Sequence, residues 1–331
     1  MRGPNLSIVN IVLLMLLIAI ILNPISSKAD ADACNHGLSC DNTTLDHDSN
    51  VIVMQHLTAI WCDICSSTES SIEQFTEDRG GQVARISYHP DDGLDYLGNR
   101  LTTYQLWHLG QNPTEAEFPS IWMDNDEITS GLINQNQLQK LFLKSSSQRT
   151  SHSTLQLSVS KYENRLEYNV ETNSHESTHL YIIMTENGVL IDKPESYNGV
   201  KIHNNVARHG VVINMSNGEI EFSEPNEGWS LNNWENNEIT TNISITFNLS
   251  ENTNHELEKW GLVTYLENNN REIIAAQQIQ PTENHDDEGN GYIIILSGIV
   301  LTGLILATPI LNSIQQKKDL HLSNDGAECE E

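Results

Sequence analysis

Cys62 and Cys65 stand three residues apart in Trp61-Cys62-Asp63-Ile64-Cys65. In the first turn of a helix, side chains at that spacing share one face and can close a disulfide. Unpaired backbone N–H groups and the positive end of the helix dipole stabilise a thiolate there. The chemistry this favours is thiol–disulfide exchange. Cys62 attacks as the exposed nucleophile, and the more buried Cys65 resolves the mixed disulfide. Asp63 opposes a negative charge on Cys62 and inclines the couple toward a reductant. Zinc is a weaker reading. It needs two more ligands from Cys34, His36 and Cys40, at a spacing unlike common zinc patterns. A merely structural disulfide competes better, because outside the cell any such pair can stay oxidised.

The motif follows Val51-Ile52-Val53-Met54, a short apolar run that reads as a buried strand. Ile64, Thr68, Ile72 and Phe75 then step at helical spacing, and Gly80-Gly81 ends the helix. Val83, Ala84, Ile86 and Tyr88 supply a second strand. Ile121-Trp122-Met123 and the run from Ile128 to Leu132 form a hairpin, and Leu138, Leu141 and Phe142 mark a last helix. Residues 51–148 therefore read as an α/β domain. The serine-rich stretch from Ser145 to Ser151 reads as a joint. Residues 152–282 alternate with a period of two at Leu155, Leu157 and Val159, at Leu166, Tyr168 and Val170, and at Ile243, Ile245 and Phe247. That pattern predicts an all-β sandwich.

Both ends carry long apolar runs. Arg2, the run from Ile8 to Leu22 and the small residues Ala29, Ala31 and Ala33 read as a signal peptide over residues 1–31, with an uncleaved anchor as the alternative. Residues 32–50 read as a linker, in which Cys34 and Cys40 pair as a loop staple. After an acidic linker at 283–290, residues 291–312 carry enough uninterrupted apolar length to span a bilayer. Lys317-Lys318 make the tail, residues 313–331, cytoplasmic, so the region between the two runs faces outward at a cell membrane. Cys329 is then a lone cytoplasmic thiol.

The chain has 17 basic and 45 acidic residues, a net charge of −28, almost all of it between the apolar runs. Nucleic acid is excluded as a partner, since phosphate binding needs clustered Lys and Arg. His203, Arg208 and His209 read as a turn on the sandwich edge. No metal site and no cofactor beyond the redox-active disulfide is expected.

A strand, Trp-Cys-x-x-Cys, a helix and a later proline before a strand together resemble the thioredoxin family. The resemblance implies that Pro119, in Phe118-Pro119-Ser120-Ile121, is a cis-proline facing the cysteines and binding substrate backbone, with Pro113 as the rival. Trp61 and Phe118 then shape the substrate surface. The family often has a buried Asp six residues before the first cysteine. Here His56 stands there, a candidate proton acceptor for Cys65.

Over about 230 residues the chain also resembles the outer-membrane-lipoprotein type in which a thioredoxin-like domain precedes an immunoglobulin-like domain. Thr58-Ala59-Ile60-Trp61-Cys62, Ile86-Ser87-Tyr88-His89, Asn99-Arg100-Leu101-Thr102-Thr103-Tyr104 and His203-Asn204-Asn205-Val206-Ala207-Arg208 carry this likeness. The C-terminal apolar span departs from it. The resulting expectation is a membrane-anchored, outward-facing thiol–disulfide oxidoreductase. It would act on cysteines of exported proteins and exchange electrons with an unidentified membrane donor or acceptor. The alternative is a non-catalytic surface binding or assembly protein with a thioredoxin-like scaffold and a structural disulfide.

Overall fold

A computed structural model describes residues 37–45, 51–125, 127–149, 153–173, 177–191, 198–237, 239–250 and 256–281. Residues 1–31, expected to be a signal peptide, the C-terminal apolar run and tail, Cys34 and Cys329 lie outside these residues. Among the described residues, no helix is long and apolar enough to cross a membrane.

The chain is mostly β-sheet with a few helices. It opens with β1 (Asn42–Leu45), inside the stretch expected to be a linker. β1 is antiparallel to a strand of the second half, with Leu45 opposite Leu157. Leu38, Cys40 and Thr43 are buried. Polar composition hid a strand that adds to a sheet edge and turns Thr43 and Leu45 inward, Thr43 buried and Leu45 half-buried.

Next come β2 (Ile52–Leu57), α1 (Asp63–Arg79) and β3 (Val83–Tyr88). β2 and β3 are parallel, with His56 opposite Ser87. α1 ends where Gly80 takes a φ of 53°, a left-handed conformation that glycine adopts without a Cβ clash. The buried face of α1 is Cys65, Thr68, Glu69, Ile72 and Phe75, whereas Ile64 is 52% exposed. The expected apolar stripe is thus rotated, with Cys65 taking the place of Ile64.

α2 (Arg100–His108) follows a loop and is capped by the Asn99 side chain. β4 (Ser120–Met123) and β5 (Glu127–Ser130) form the expected hairpin, with β4 antiparallel to β2. α3 (Gln135–Gln148) begins with a capping box between Asn134 and Gln137. It absorbs part of the expected serine-rich joint, because Ser145 is buried and donates to the Met123 carbonyl at 3.3 Å.

The second half supplies β6 (Leu155–Tyr162), β7 (Arg165–Thr172), β8 (Ser177–Glu186), β9 (Val189–Leu190), β10 (Ile202–His203) and β11 (Val206–Asn214). β12 (Ile220–Glu224), β13 (Trp229–Asn236), β14 (Thr241–Asn248), β15 (Trp260–Asn268) and β16 (Ile273–Ile279) complete it. One sheet runs β1-β6-β7-β14-β13. The other has nine strands in the order β16-β15-β8-β11-β3-β2-β4-β5, with β12 also paired to β11.

This larger sheet passes through both halves. β11 lies parallel to β3 with Val206 opposite Ser87, and the Ser87 N–H donates to the Asn205 carbonyl at 2.7 Å. One core cluster is common to both, joining Val53, Ile86, Leu101 and Trp122 to Tyr181, Ile183, Val212 and Tyr265. A sheet and a core cluster are thus shared between the described residues of 51–148 and those from 153 to 281.

The loop between β3 and α2 is locked by close packing. At Gly98 an added Cβ would lie 1.9 Å from the Pro90 carbonyl oxygen, a backbone atom with no room to yield. Gly98→Ala should therefore displace this loop and cost about 1–3 kcal/mol. Chemical denaturation measures the loss, and an unchanged midpoint would contradict the packing described.

Candidate functional site

Cys62 caps α1 and is disulfide-bonded to Cys65, with their Cα atoms 5.3 Å apart. The Cys65 N–H donates to Cys62 Sγ at 3.2 Å, the contact that stabilises a thiolate at a helix start. Cys62 is 7% exposed and Cys65 1%. The sequence suggested an exposed first sulfur, yet Cys62 is largely covered. Trp61 and Phe118 pack over the pair, with ring centroids 5.0 Å apart and planes tilted by 59°. The Phe118–Pro119 peptide is cis, whereas the rival Pro113 is not among the cis peptides.

A short strap, Ala59-Ile60, joins β2 to the motif, and its polar groups are held from three sides. The Ile60 N–H donates to Asp95 Oδ2 at 2.9 Å. The Ala59 carbonyl accepts from the Cys62 N–H at 3.2 Å and from Asn198 Nδ2 at 3.0 Å, and the Ile60 carbonyl accepts from the Asn198 N–H at 3.2 Å. The Trp61 indole N–H donates to Asp92 Oδ2 at 2.9 Å. Asp92 in turn accepts from the Leu94 and Asp95 N–H groups, so the loop after β3 is fastened to the motif.

Below the disulfide lies a buried polar floor. Alternation in β2 and β3 sends His56, Arg85 and Ser87 to the side covered by α1. Glu69 lies one helical turn beyond Cys65 on the same face. Arg85 Nη2 donates to Glu69 Oε1, and Arg85 Nε to Ser87 Oγ at 3.1 Å. Burial opposes charge on Glu69, but Arg85 and then His56 outweigh it, so the carboxyl titrates below the usual range. His56 Nδ1 is 3.7 Å from Glu69 Oε2.

Neither ring nitrogen of His56 has a hydrogen-bond partner among the described residues. Burial, only partly offset by Glu69, pushes its pKa down to about 3. The ring is buried and shares no hydrogen bond with Cys65, the residue whose proton it was expected to accept. The nearest buried carboxylate on the Cys65 face of the helix is Glu69, which the sequence reading passed over. Its signals were a position four residues after Cys65 and an arginine in the buried β3, which demands a counter-charge.

A pair of histidines, His89 and His203, flanks this floor. His89 Nδ1 meets Asp95 Oδ2 at 2.8 Å, and the His203 ring packs edge-on against His89 at 5.1 Å. His203 is held to a pKa of about 4 by burial and by His89. The turn expected around His203, Arg208 and His209 is confined to Asn204 and Asn205, between two strands. His203 ends β10, while Arg208 and His209 belong to β11 inside the large sheet. Arg208 Nε bonds Glu186 at 2.7 Å, and His209 stacks on Trp260 at 5.1 Å. Cys40 is buried, but its expected pairing with Cys34 falls outside the described residues. Among the described residues no group of His, Cys, Asp and Glu is arranged to hold a metal ion.

No family model and no curated protein matches the chain. Among solved structures it is similar to HBP35 of Porphyromonas gingivalis, at 17% identity over 72% of this chain and 79% of that one, with a TM-score of 0.50. A protein of Agrobacterium tumefaciens matches at 11% identity over 71% of this chain and 97% of that one, with a TM-score of 0.45. A family 9 carbohydrate-binding module of Caldicellulosiruptor kristjanssonii, solved with cellotriose, matches at 9% identity over 40% of this chain and 68% of that one, with a TM-score of 0.28. The first likeness is one of fold.

The depressed histidines set a pH dependence. Folded His56 and His203 bind fewer protons than the unfolded chain between their own pKa values, about 3 and about 4, and 6.5. Their contribution is complete above pH 6.5 and is lost as pH falls toward 4 and 3. Stability by denaturant titration should be level above about pH 7 and fall progressively below pH 6.5, with a shallower fall in His56→Gln. A flat profile from pH 8 to 4 would contradict the burial of these rings as neutral groups.

Proposed function

We propose that the chain is a membrane-anchored thiol–disulfide oxidoreductase facing away from the cytoplasm. In this reading the first half is a thioredoxin-like unit, the second an immunoglobulin-like sandwich, and the redox centre is Cys62–Cys65. The observation that carries it is a bonded cysteine pair at a helix start, with the Cys65 N–H on Cys62 Sγ and a cis proline following Phe118, whose ring packs against the pair. The strand–helix–strand order of β2, α1 and β3, followed by the β4–β5 hairpin and α3, supports the thioredoxin-like assignment.

In the reductive direction the Cys62 thiolate attacks one sulfur of a substrate disulfide. That S–S bond breaks, a Cys62–substrate bond forms, and the other substrate sulfur leaves as a thiolate. The Cys65 thiolate then attacks Cys62 Sγ, restores the intramolecular bond and releases the second substrate sulfur. Two electrons pass to the substrate, and a dithiol partner at the membrane returns them. Oxidation of a substrate dithiol is the same sequence reversed. Trp61 and Phe118 meet the substrate, and the backbone beside Pro119 binds its main chain. Substrates are cysteine-bearing exported proteins.

The 7% exposure of Cys62 favours a second reading, a binding or assembly protein whose disulfide is inert under its aromatic cover. Trapping separates the two. Cys65→Ser should accumulate mixed disulfides through Cys62 when offered a disulfide-bonded polypeptide, visible on non-reducing gels, and Cys62→Ser should abolish exchange. An absence of adducts with Cys65→Ser, or activity surviving Cys62→Ser, would reject the enzyme.

A further inference from the structure

The strap ahead of the motif is not held by the first half alone. Of the hydrogen bonds on Ala59 and Ile60 described above, two come from Asn198. That residue belongs to the second half, between β9 and β10. Its side chain is fixed in turn, because Asn198 Oδ1 accepts from the Val200 N–H at 3.0 Å. The same region also holds the strap by packing: Ile60 sits in a small cluster with Leu97, Ile191 and Val206.

The other anchor of the strap depends on this region as well. Asp95 takes the Ile60 N–H and is bound by His89, whose ring rests on His203 of β10. β10 is hydrogen-bonded to β9, with His203 opposite Val189. The β9–β10 ladder thus fastens the strap at Asn198 and supports it again through His203.

We propose that the second half is a working part of the Cys62–Cys65 centre, with Asn198 as a positioning residue that holds the Ala59–Ile60 strap in the geometry that closes the disulfide. This deepens the oxidoreductase reading, yet its test does not require catalysis. Only Trp61 separates Cys62 from the strap, and the Cys62 N–H bonds the Ala59 carbonyl that Asn198 also holds. With the strap fixed, the two thiols face each other at high effective concentration and the closed form is favoured. With the strap loosened, the reduced pair gains freedom that closure must remove.

The reaction to measure is the equilibrium of the full chain, in detergent, with dithiothreitol. The protein disulfide takes two electrons and two protons and opens to a dithiol, while the reagent closes to its cyclic disulfide. Asn198→Ala removes the side-chain donation to Ala59 and the bond from Val200. Asn198→Asp removes only the donation and keeps an oxygen for Val200. Both variants should shift the equilibrium toward the protein dithiol by about fivefold, equivalent to a potential ~20 mV higher for a two-electron couple.

A purely structural role would lower the melting temperature of either variant and leave the potential at the wild-type value, and that result would overturn the proposal. Should Asn198→Ala fail to fold, the potential of Asn198→Asp decides alone. A shifted potential without any trapped adduct in Cys65→Ser would retire the enzyme while leaving the positioning role standing. Trapped adducts with unshifted potentials would do the reverse.

Discussion

β3 carries the constraint on which the rest depends. One of its edges pairs with β2, and its other edge is met near the C-terminal end by β11 from the second half. An unpaired strand edge is a row of exposed donors and acceptors that invites association. Here the Ser87 N–H finds the Asn205 carbonyl, and the sheet continues into β8, β15 and β16. Because the join falls at Ser87, two residues before His89, the second half is brought alongside the strap and the loop that flank the cysteines. Asn99 reinforces the same seam, its Nδ2 donating to the Ala207 carbonyl at 2.7 Å.

The polar floor under α1 follows from that closure. Arg85 and Glu69 are both buried, so their charges compensate one another where water cannot. Removing one partner of such a pair costs far more than the pair contributes net, about 3–5 kcal/mol. Such a pair fixes the register of α1 on the sheet, and with it the position of the helix start that carries Cys62. His56, His89 and His203 sit around it as buried imidazoles, two of them with depressed basicity. The preference of His56 and His203 for the neutral form ties the integrity of the site to pH.

Much of this was legible in the sequence. Period-two alternation placed β6, β7 and β14, and the Cys-x-x-Cys spacing placed the start of α1. Gly80-Gly81 placed its end, since Gly80 adopts a φ that suits no other residue as well. What failed to show did so for physical reasons. The face of α1 was misread at Ile64 because a helix buries whichever side meets the sheet, and a buried Glu69 looks like a solvent residue until its arginine is found. α2 went unseen, since Arg100–His108 has only a few apolar residues and is defined by its Asn99 cap and its contact with β11. β1 was hidden in a polar stretch stabilised by cross-strand pairing at long range. Asn198 carries no local signal at all. Its importance lies in two carbonyls 139 and 138 positions earlier in the chain.

Thiol–disulfide exchange requires the sulfur–sulfur bond to be reachable in the folded protein despite its aromatic cover. The direct measurement is reduction of the native full chain by a small dithiol, followed by timed alkylation and mass spectrometry of the peptides bearing Cys62 and Cys65. In an oxidoreductase the bond opens without unfolding and Cys62 is alkylated well before Cys65. A bond that resists reduction until the chain is denatured would contradict that role and leave the pair a structural brace.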